Sequence, residues 1–229
     1  MATHDSRPSF EARVRTQAPQ DDGDCSGVSM KANECMKVLA KHRGDAVVVC
    51  ALGMAANEWW AITRSEDSFY MHGGMGLAST FALGLALSIP DMPVWVINSD
   101  GGLCMNTGTL LTEAGQQPRN MKHFVVDNQC YQTVENMPMV NQDGADYTMM
   151  ARGAGFQRAI TIDNLDDLAR KMPEIVAAPG PYFIRLRVDA ETNYQRTPPA
   201  NYEGPEMKYR FGRAMEKKLG IKVFGPRGF

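Results

Sequence analysis

Short, wholly apolar runs alternate along this chain with stretches whose apolar residues recur at helical spacing. The runs cover residues 46–52, 94–97 and 124–126, and residues 156–162 carry a further short strand. Continuous apolarity over so few residues, bounded by turn residues, predicts strands covered on both faces. A last strand at 182–188 sets Tyr182, Ile184, Leu186 and Val188 against Arg185 and Arg187, which predicts one wetter face. Between the strands, Cys35, Met36, Val38 and Leu39 predict a helix ending around His42–Gly44, and residues 57–62 a shorter one. Residues 69–71 read as a short extended run. A helix of small and apolar residues opens at Gly73–Gly76 and runs to Ser88. Another covers 104–116, with Leu110, Leu111 and Ala114 on one side and Pro118 ending it. Tyr147–Gly155 and the series Leu165, Leu168, Met172, Ile175 predict two more. Strand, helix, strand at these lengths gives right-handed crossovers and parallel strands. The expected fold is therefore a single three-layer α/β/α domain with a mainly parallel sheet over residues 30–190. Residues 1–29 are polar and without periodicity, as in a flexible extension. Residues 191–229 read as a tail packing on the domain or on a partner.

Composition narrows the function classes. The chain has 229 residues, 44% of them hydrophobic, and a formal charge of −2. That supports a full core and argues against nucleic-acid binding. No apolar run is long enough to span a bilayer, and the N-terminus lacks the apolar core of a signal peptide. Cys25, Cys35, Cys50, Cys104 and Cys130 show no paired metal spacing, which points to reduced thiols and a cytoplasmic location.

The chemistry concentrates between Pro93 and Tyr131. The strand at 94–97 ends in Asn98-Ser99-Asp100-Gly101-Gly102, and the strand at 124–126 ends in Asp127-Asn128. In a βαβ unit both ends reach the same edge of the sheet, and neighbouring strands lie about 4.8 Å apart. Asp100 and Asn128 would converge where open α/β sheets bind ligands. Oxygen ligands beside glycine backbone suit Mg²⁺ holding a phosphate, with the helix that follows, opening near Leu103, adding its dipole. The alternative is an Asp that only caps that helix. A dinucleotide fingerprint at Gly73-Gly74-Met75-Gly76 is weak, because Ser79 stands where a further Gly is needed.

Ser99-Asp100-Gly101 followed by Asp127-Asn128 resembles the diphosphate-binding motif of thiamine-diphosphate enzymes, Gly-Asp-Gly and then Asn-Asn. Ser99 replaces the first Gly and Asp127 the first Asn. The resemblance implies a metal held by Asp100, Asn128 and the Cys130 backbone oxygen. It implies cofactor contacts at Gly73, Gly74, Met75, Asp100, Gly101, Gly102, Asn128, Cys130, Tyr131 and Gln132. Within them the Gly73 carbonyl would accept from the aminopyrimidine, and Met75 would wedge the cofactor into a bent shape. His72, Gln132 and Glu135 are the catalytic candidates on the substrate side.

The segments FYMHGGMGLAS, MNTGTLLTEA and GPYFIRLRVD extend the resemblance to the diphosphate-binding subunit of sulfopyruvate decarboxylase and the C-terminal part of phosphonopyruvate decarboxylase. Val134-Glu135-Asn136-Met137 departs from the Gly-Gly-Gln of those enzymes, and Ala55-Ala56 stands where a hydroxyl is expected. The implied activity is decarboxylation of a 2-oxo acid with thiamine diphosphate and Mg²⁺. The glutamate that activates the pyrimidine ring lies on a separate domain in that family, and this chain has room for only one. A pyrimidine-binding α subunit is therefore the expected partner, in an α2β2 or larger assembly. A thiamine-dependent carboligase of the acetolactate synthase kind, a non-catalytic scaffold and an unrelated metal-dependent phosphate enzyme are the alternatives.

Overall fold

The computed structural model describes residues 30–142, 144–191 and 204–225. The expected extension at 1–29 lies outside the described residues, as do 192–203 and 226–229 of the tail. The elements run β and α in near alternation. They are α1 (Ala32–His42), β1 (Val47–Cys50), α2 (Met54–Thr63), β2 (Ser68–Tyr70), α3 (Ala78–Ser88), β3 (Val94–Ser99), α4 (Asp100–Met105), α5 (Thr109–Gln116) and β4 (Met121–Asp127). After a hairpin of β5 (Cys130–Tyr131) and β6 (Met137–Pro138) come α6 (Tyr147–Ala154), β7 (Arg158–Ile162), α7 (Leu165–Ala177), β8 (Tyr182–Arg187) and α8 (Gly204–Leu219).

The main sheet has six strands in the order β2-β1-β3-β4-β8-β7, all parallel. Its central strands are buried along almost their whole length, which is why they read as unbroken apolar runs. Helix α1 packs on α2 and α7, while α5 packs on α3 and α6, so the sheet has helices on both faces. The larger core surrounds Trp59, Trp95, Ile97 and Phe124. A smaller one joins Leu103, Leu110, Val125, Tyr147, Phe156 and Phe183.

Three expectations are corrected. Residues 104–116 are not one helix: α4 begins at Asp100 and ends at Met105, and α5 starts after a turn at Asn106–Gly108. The helix starts early because the Ser99 hydroxyl accepts from the Gly102 N–H at 3.0 Å, an N-cap that the two glycines do not disturb. It breaks because Asn106 turns its amide to the Gly76 carbonyl, 3.1 Å away. Strand β8 has no wet face; Arg185 is buried against Asp127.

Helix α8 covers the β2 edge, a device that shields an open strand from pairing. Met207, Phe211 and Met215 are its buried residues, and the Phe211 ring meets Phe69 at 5.3 Å. Its last turn is pinned by Asp67, which accepts from Lys218 at 2.6 Å and from Arg43 and Ser65. Burial alone would raise the Asp67 pKa, but these donors outweigh it and hold the carboxyl at about 2. Because the folded value is depressed, its contribution is present above pH about 4 and is lost as pH falls towards 2. Asp67→Asn is expected to loosen α8 by about 1 kcal/mol, the Asp67 side chain being a quarter exposed and its ion pairs partly screened. Hydrogen exchange checks this: α8 amides should exchange severalfold faster while β3 and β4 stay protected, and unchanged α8 exchange would contradict the pinning.

Candidate functional site

The chain reverses direction across the sheet between β1 and β3. From β1 it moves outward to β2, then crosses back to β3 and continues to β4. Loops leaving β1 and β3 therefore diverge and open a cleft, the usual ligand position in such sheets. The cleft is lined by Leu52, Gly53 and Met54 after β1, by Gly74–Gly76 before α3, and by Ser99–Gly102 after β3. Asn128 and Cys130–Thr133 close it beyond β4.

Strands β3 and β4 are neighbours, with Ser99 paired to Val126, so Asp100 and Asn128 emerge side by side. Asp100 is 2% exposed. Its Oδ1 accepts from the Gly101 N–H at 2.7 Å and its Oδ2 from the Gln129 N–H at 2.8 Å. The second bond depends on Gln129 holding φ at +59°, which turns its N–H inward between Asp100 and Asp127. The Gln129 side chain is held in turn by the Gln142 carbonyl and by Arg187, both at 2.9 Å. Asn128 uses Oδ1 to accept from the Cys130 N–H at 3.2 Å, and Nδ2 to reach Gln132 Oε1 at 2.9 Å.

Two carboxylates thus share one backbone donor, but only one has a cation. Asp127 receives Arg185 Nε at 2.6 Å, with both side chains buried. Among the described residues Asp100 has no basic side chain as a hydrogen-bond or ion-pair partner. Burial, followed by the charge of Asp127, pushes its carboxyl up to about 7. A nearly dry carboxylate held by two backbone donors and facing a second acid is suited to a hard cation, which would remove the cost of its charge. Among the described residues no group of three or more His, Cys, Asp or Glu gathers to hold a metal. A cation at Asp100 would therefore need oxygens from backbone and from a bound anion.

Close packing within the turn requires its glycines. A Cβ at Gly101 would lie 2.9 Å from the Tyr131 ring, and one at Gly102 would lie 2.6 Å from Asn98 Oδ1. Gly74 and Gly76 adopt φ of +65° and +79°, which carry the loop into α3. Met75 between them is 62% exposed and lines the cleft, where a core role would have buried it.

Gly74, Met75, Asp100, Gly101, Gly102, Asn128, Cys130, Tyr131 and Gln132 all line the one cleft. Gly73, His72 and Glu135 do not: each is exposed, and Glu135 sits at φ +53° in the β5–β6 turn. The Cys130 thiol is pushed up to about 11 by burial and by Asp100, which disfavours a thiolate. Sequence reasoning passed over Met54, Met71, Met105 and Thr133 as cleft residues, and Gln129 and Arg185 as supports. Nothing local marks the methionines. Arg185 carried a signal, a charged residue inside an apolar strand.

Comparison with known proteins agrees with this architecture. Residues 48–186 match the family model described as thiamine pyrophosphate enzyme, C-terminal TPP binding domain. The chain is 38% identical over 144 residues to the sulfopyruvate decarboxylase subunit beta of Methanothermobacter thermautotrophicus, covering 63% of this chain and 74% of that one. It is 31% identical over 152 residues to phosphonopyruvate decarboxylase of Streptomyces viridochromogenes, covering 66% of this chain but only 38% of that enzyme. Benzoylformate decarboxylase from Polynucleobacter necessarius shares the fold, with a TM-score of 0.63 at 18% identity over 76% of this chain and 36% of that one. With its parallel sheet, its cleft at the strand reversal and this match over most of the described domain, the chain belongs to the thiamine pyrophosphate enzymes, as a carrier of their C-terminal TPP binding domain.

Proposed function

We propose that this chain is the diphosphate-binding subunit of a two-chain, thiamine-diphosphate-dependent enzyme that decarboxylates a 2-oxo acid. The observation that carries the reading is Asp100, a buried carboxylate without a basic partner, beside Asn128 at the mouth of a glycine-lined cleft. The names of its relatives, sulfopyruvate decarboxylase subunit beta and phosphonopyruvate decarboxylase, support the reaction class.

In this reading the Asp100 carboxylate, the Asn128 amide oxygen and the Cys130 carbonyl would hold Mg²⁺ and, through it, the diphosphate. Gly101 and Gly102 form the wall of the cleft beside that site at the start of α4, their N–H groups held by Asp100 Oδ1 and Ser99 Oγ. Gly74 and Met75, which line the cleft, would meet the cofactor there, Met75 as the wedge against it, and the Gly73 carbonyl just outside the lining would accept from the aminopyrimidine. Thiamine diphosphate, when bound, supplies the nucleophilic carbon and electron sink that loss of CO₂ from a 2-oxo acid requires. Tyr131 and Gln132 close the cleft beyond the metal, with Gln132 oriented by Asn128. His72 and Glu135 act on substrate only where a partner surface brings it to them.

Two features of the cleft support a partner. Among the described lining residues there is no glutamate to protonate the pyrimidine ring. Nor is there a lysine or arginine to meet an anionic substrate. The α subunit would supply both, most simply in an α2β2 assembly whose twofold axis creates equivalent sites. Among the described residues no helix is long and apolar enough to cross a membrane, and Cys35, Cys50, Cys104 and Cys130 are free thiols, which fits the proposed cytoplasmic setting.

Removing the carboxylate tests the metal assignment: Asp100→Ala should weaken Mg²⁺-dependent cofactor binding roughly a hundredfold or more by calorimetry, about 1.4 kcal/mol per factor of ten. Met75→Ala should keep that affinity yet slow turnover roughly tenfold, since only the bent geometry is lost; equal turnover would make Met75 a bystander. Assayed alone with cofactor, Mg²⁺ and a panel of 2-oxo acids, the chain should be inactive and should gain activity on addition of its partner. Robust turnover by the isolated chain would overturn the half-site reading.

A further inference from the structure

Beneath the Ser99–Gly102 turn lies a buried polar chain that the proposed chemistry does not use. His123 on β4 and Glu113 on α5 are hydrogen-bonded between Nδ1 and Oε2 at 2.9 Å, with side chains 1% and 0% exposed. The other Glu113 oxygen faces the Thr109 hydroxyl at 3.4 Å, and Thr109 faces Ser79 on α3 at the same distance. On its far side, His123 Nε2 lies 3.4 Å from Asn98 Nδ2. Asn98 is the residue that precedes the turn. Its Oδ1 accepts from the Ser99 N–H at 3.0 Å and sits where a Cβ on Gly102 would be. The chain thus joins the helix that follows the glycine loop to the turn that carries Asp100.

A pair of this kind is a poor way to stabilise a core. Burying a carboxylate and an imidazole costs free energy even when they are hydrogen-bonded to each other, and apolar replacements of such buried polar pairs are often neutral or stabilising. Leu103, Leu110, Val125 and Phe183 form the smaller core on the same face, so an apolar alternative was open to this position. What the pair does instead is set a direction. With Nδ1–H donated to Glu113, Nε2 is left as an acceptor and takes the Asn98 amide N–H. That turns Asn98 Oδ1 toward Ser99 and Gly102.

We propose that Glu113 and His123 are positioning residues for the diphosphate site: through Asn98 they fix the turn that presents Asp100 and the Gly101–Gly102 backbone. The proposal rests on the functional reading above only for what the turn holds. The test compares the full-length chain with the apolar double variant Glu113→Leu/His123→Phe and with Glu113→Gln, whose amide oxygen can still accept from Nδ1. The double variant should melt at or above the wild-type temperature. Its amides at 99–102 should nevertheless exchange about tenfold faster, as one lost hydrogen bond allows, with β3 and β4 unchanged. Its affinity for thiamine diphosphate with Mg²⁺ should fall about tenfold too, while Glu113→Gln stays near wild type on both readouts. Wild-type exchange at 99–102 in a folded double variant would overturn the proposal. Should that variant fail to fold, the His123 tautomer in the wild-type chain decides by ¹⁵N NMR: Nδ1–H with bare Nε2 is expected, and Nε2–H overturns it. Absence of cofactor binding by wild type with its partner would instead remove the functional reading, and the exchange and tautomer results would still decide the positioning role.

Discussion

The constraint on which the site depends is the charge of Asp100. The carboxyl is 2% exposed, receives two backbone N–H groups and stands beside a second acid. Asp127 has its own cation in Arg185, buried with it. Asp100 has none, and its pKa rises as burial and Asp127 require. A protein that needed this acid only to cap a helix could have left it at the surface, as Asp146 is left at the start of α6, half exposed and accepting from Thr148 and Met149. A cation brought by an anionic ligand is the simplest relief for Asp100, and its surroundings are arranged for close backbone approach.

Much of the fold serves that arrangement. Parallel pairing of β3 with β4 brings Asp100 and Asn128 to one edge in register, and the reversal between β1 and β3 opens the space above them. Gln129 at positive φ ties the two strand ends together through a single N–H. The Glu113–His123–Asn98 chain supports the same turn from below. The charges are thus distributed unequally on purpose of geometry: compensated under the turn and behind it, uncompensated at its open side.

The sheet was legible because its strands are buried on both faces, so 94–97 and 124–126 stand out as unbroken apolar runs. The residues that gather at the cleft were legible because glycine, acid and amide at strand ends have few other uses. What the sequence did not disclose depends on contacts made across the fold. The split of 104–116 into α4 and α5 follows from Asn106 reaching Gly76, thirty positions away. The burial of Arg185 depends on Asp127 of the neighbouring strand, and the exposure of His72 on how its loop leaves β2. Periodicity alone carries none of these.

The most direct measurement is a crystal structure of the chain soaked with thiamine diphosphate and Mn²⁺, a substitute for Mg²⁺ that scatters anomalously. The account requires one anomalous peak within metal-bonding distance, about 2.1 Å for Mg²⁺, of an Asp100 oxygen and the Asn128 amide oxygen, with the diphosphate on its other side. A peak elsewhere, or a diphosphate bound away from the Ser99–Gly102 turn, would contradict it.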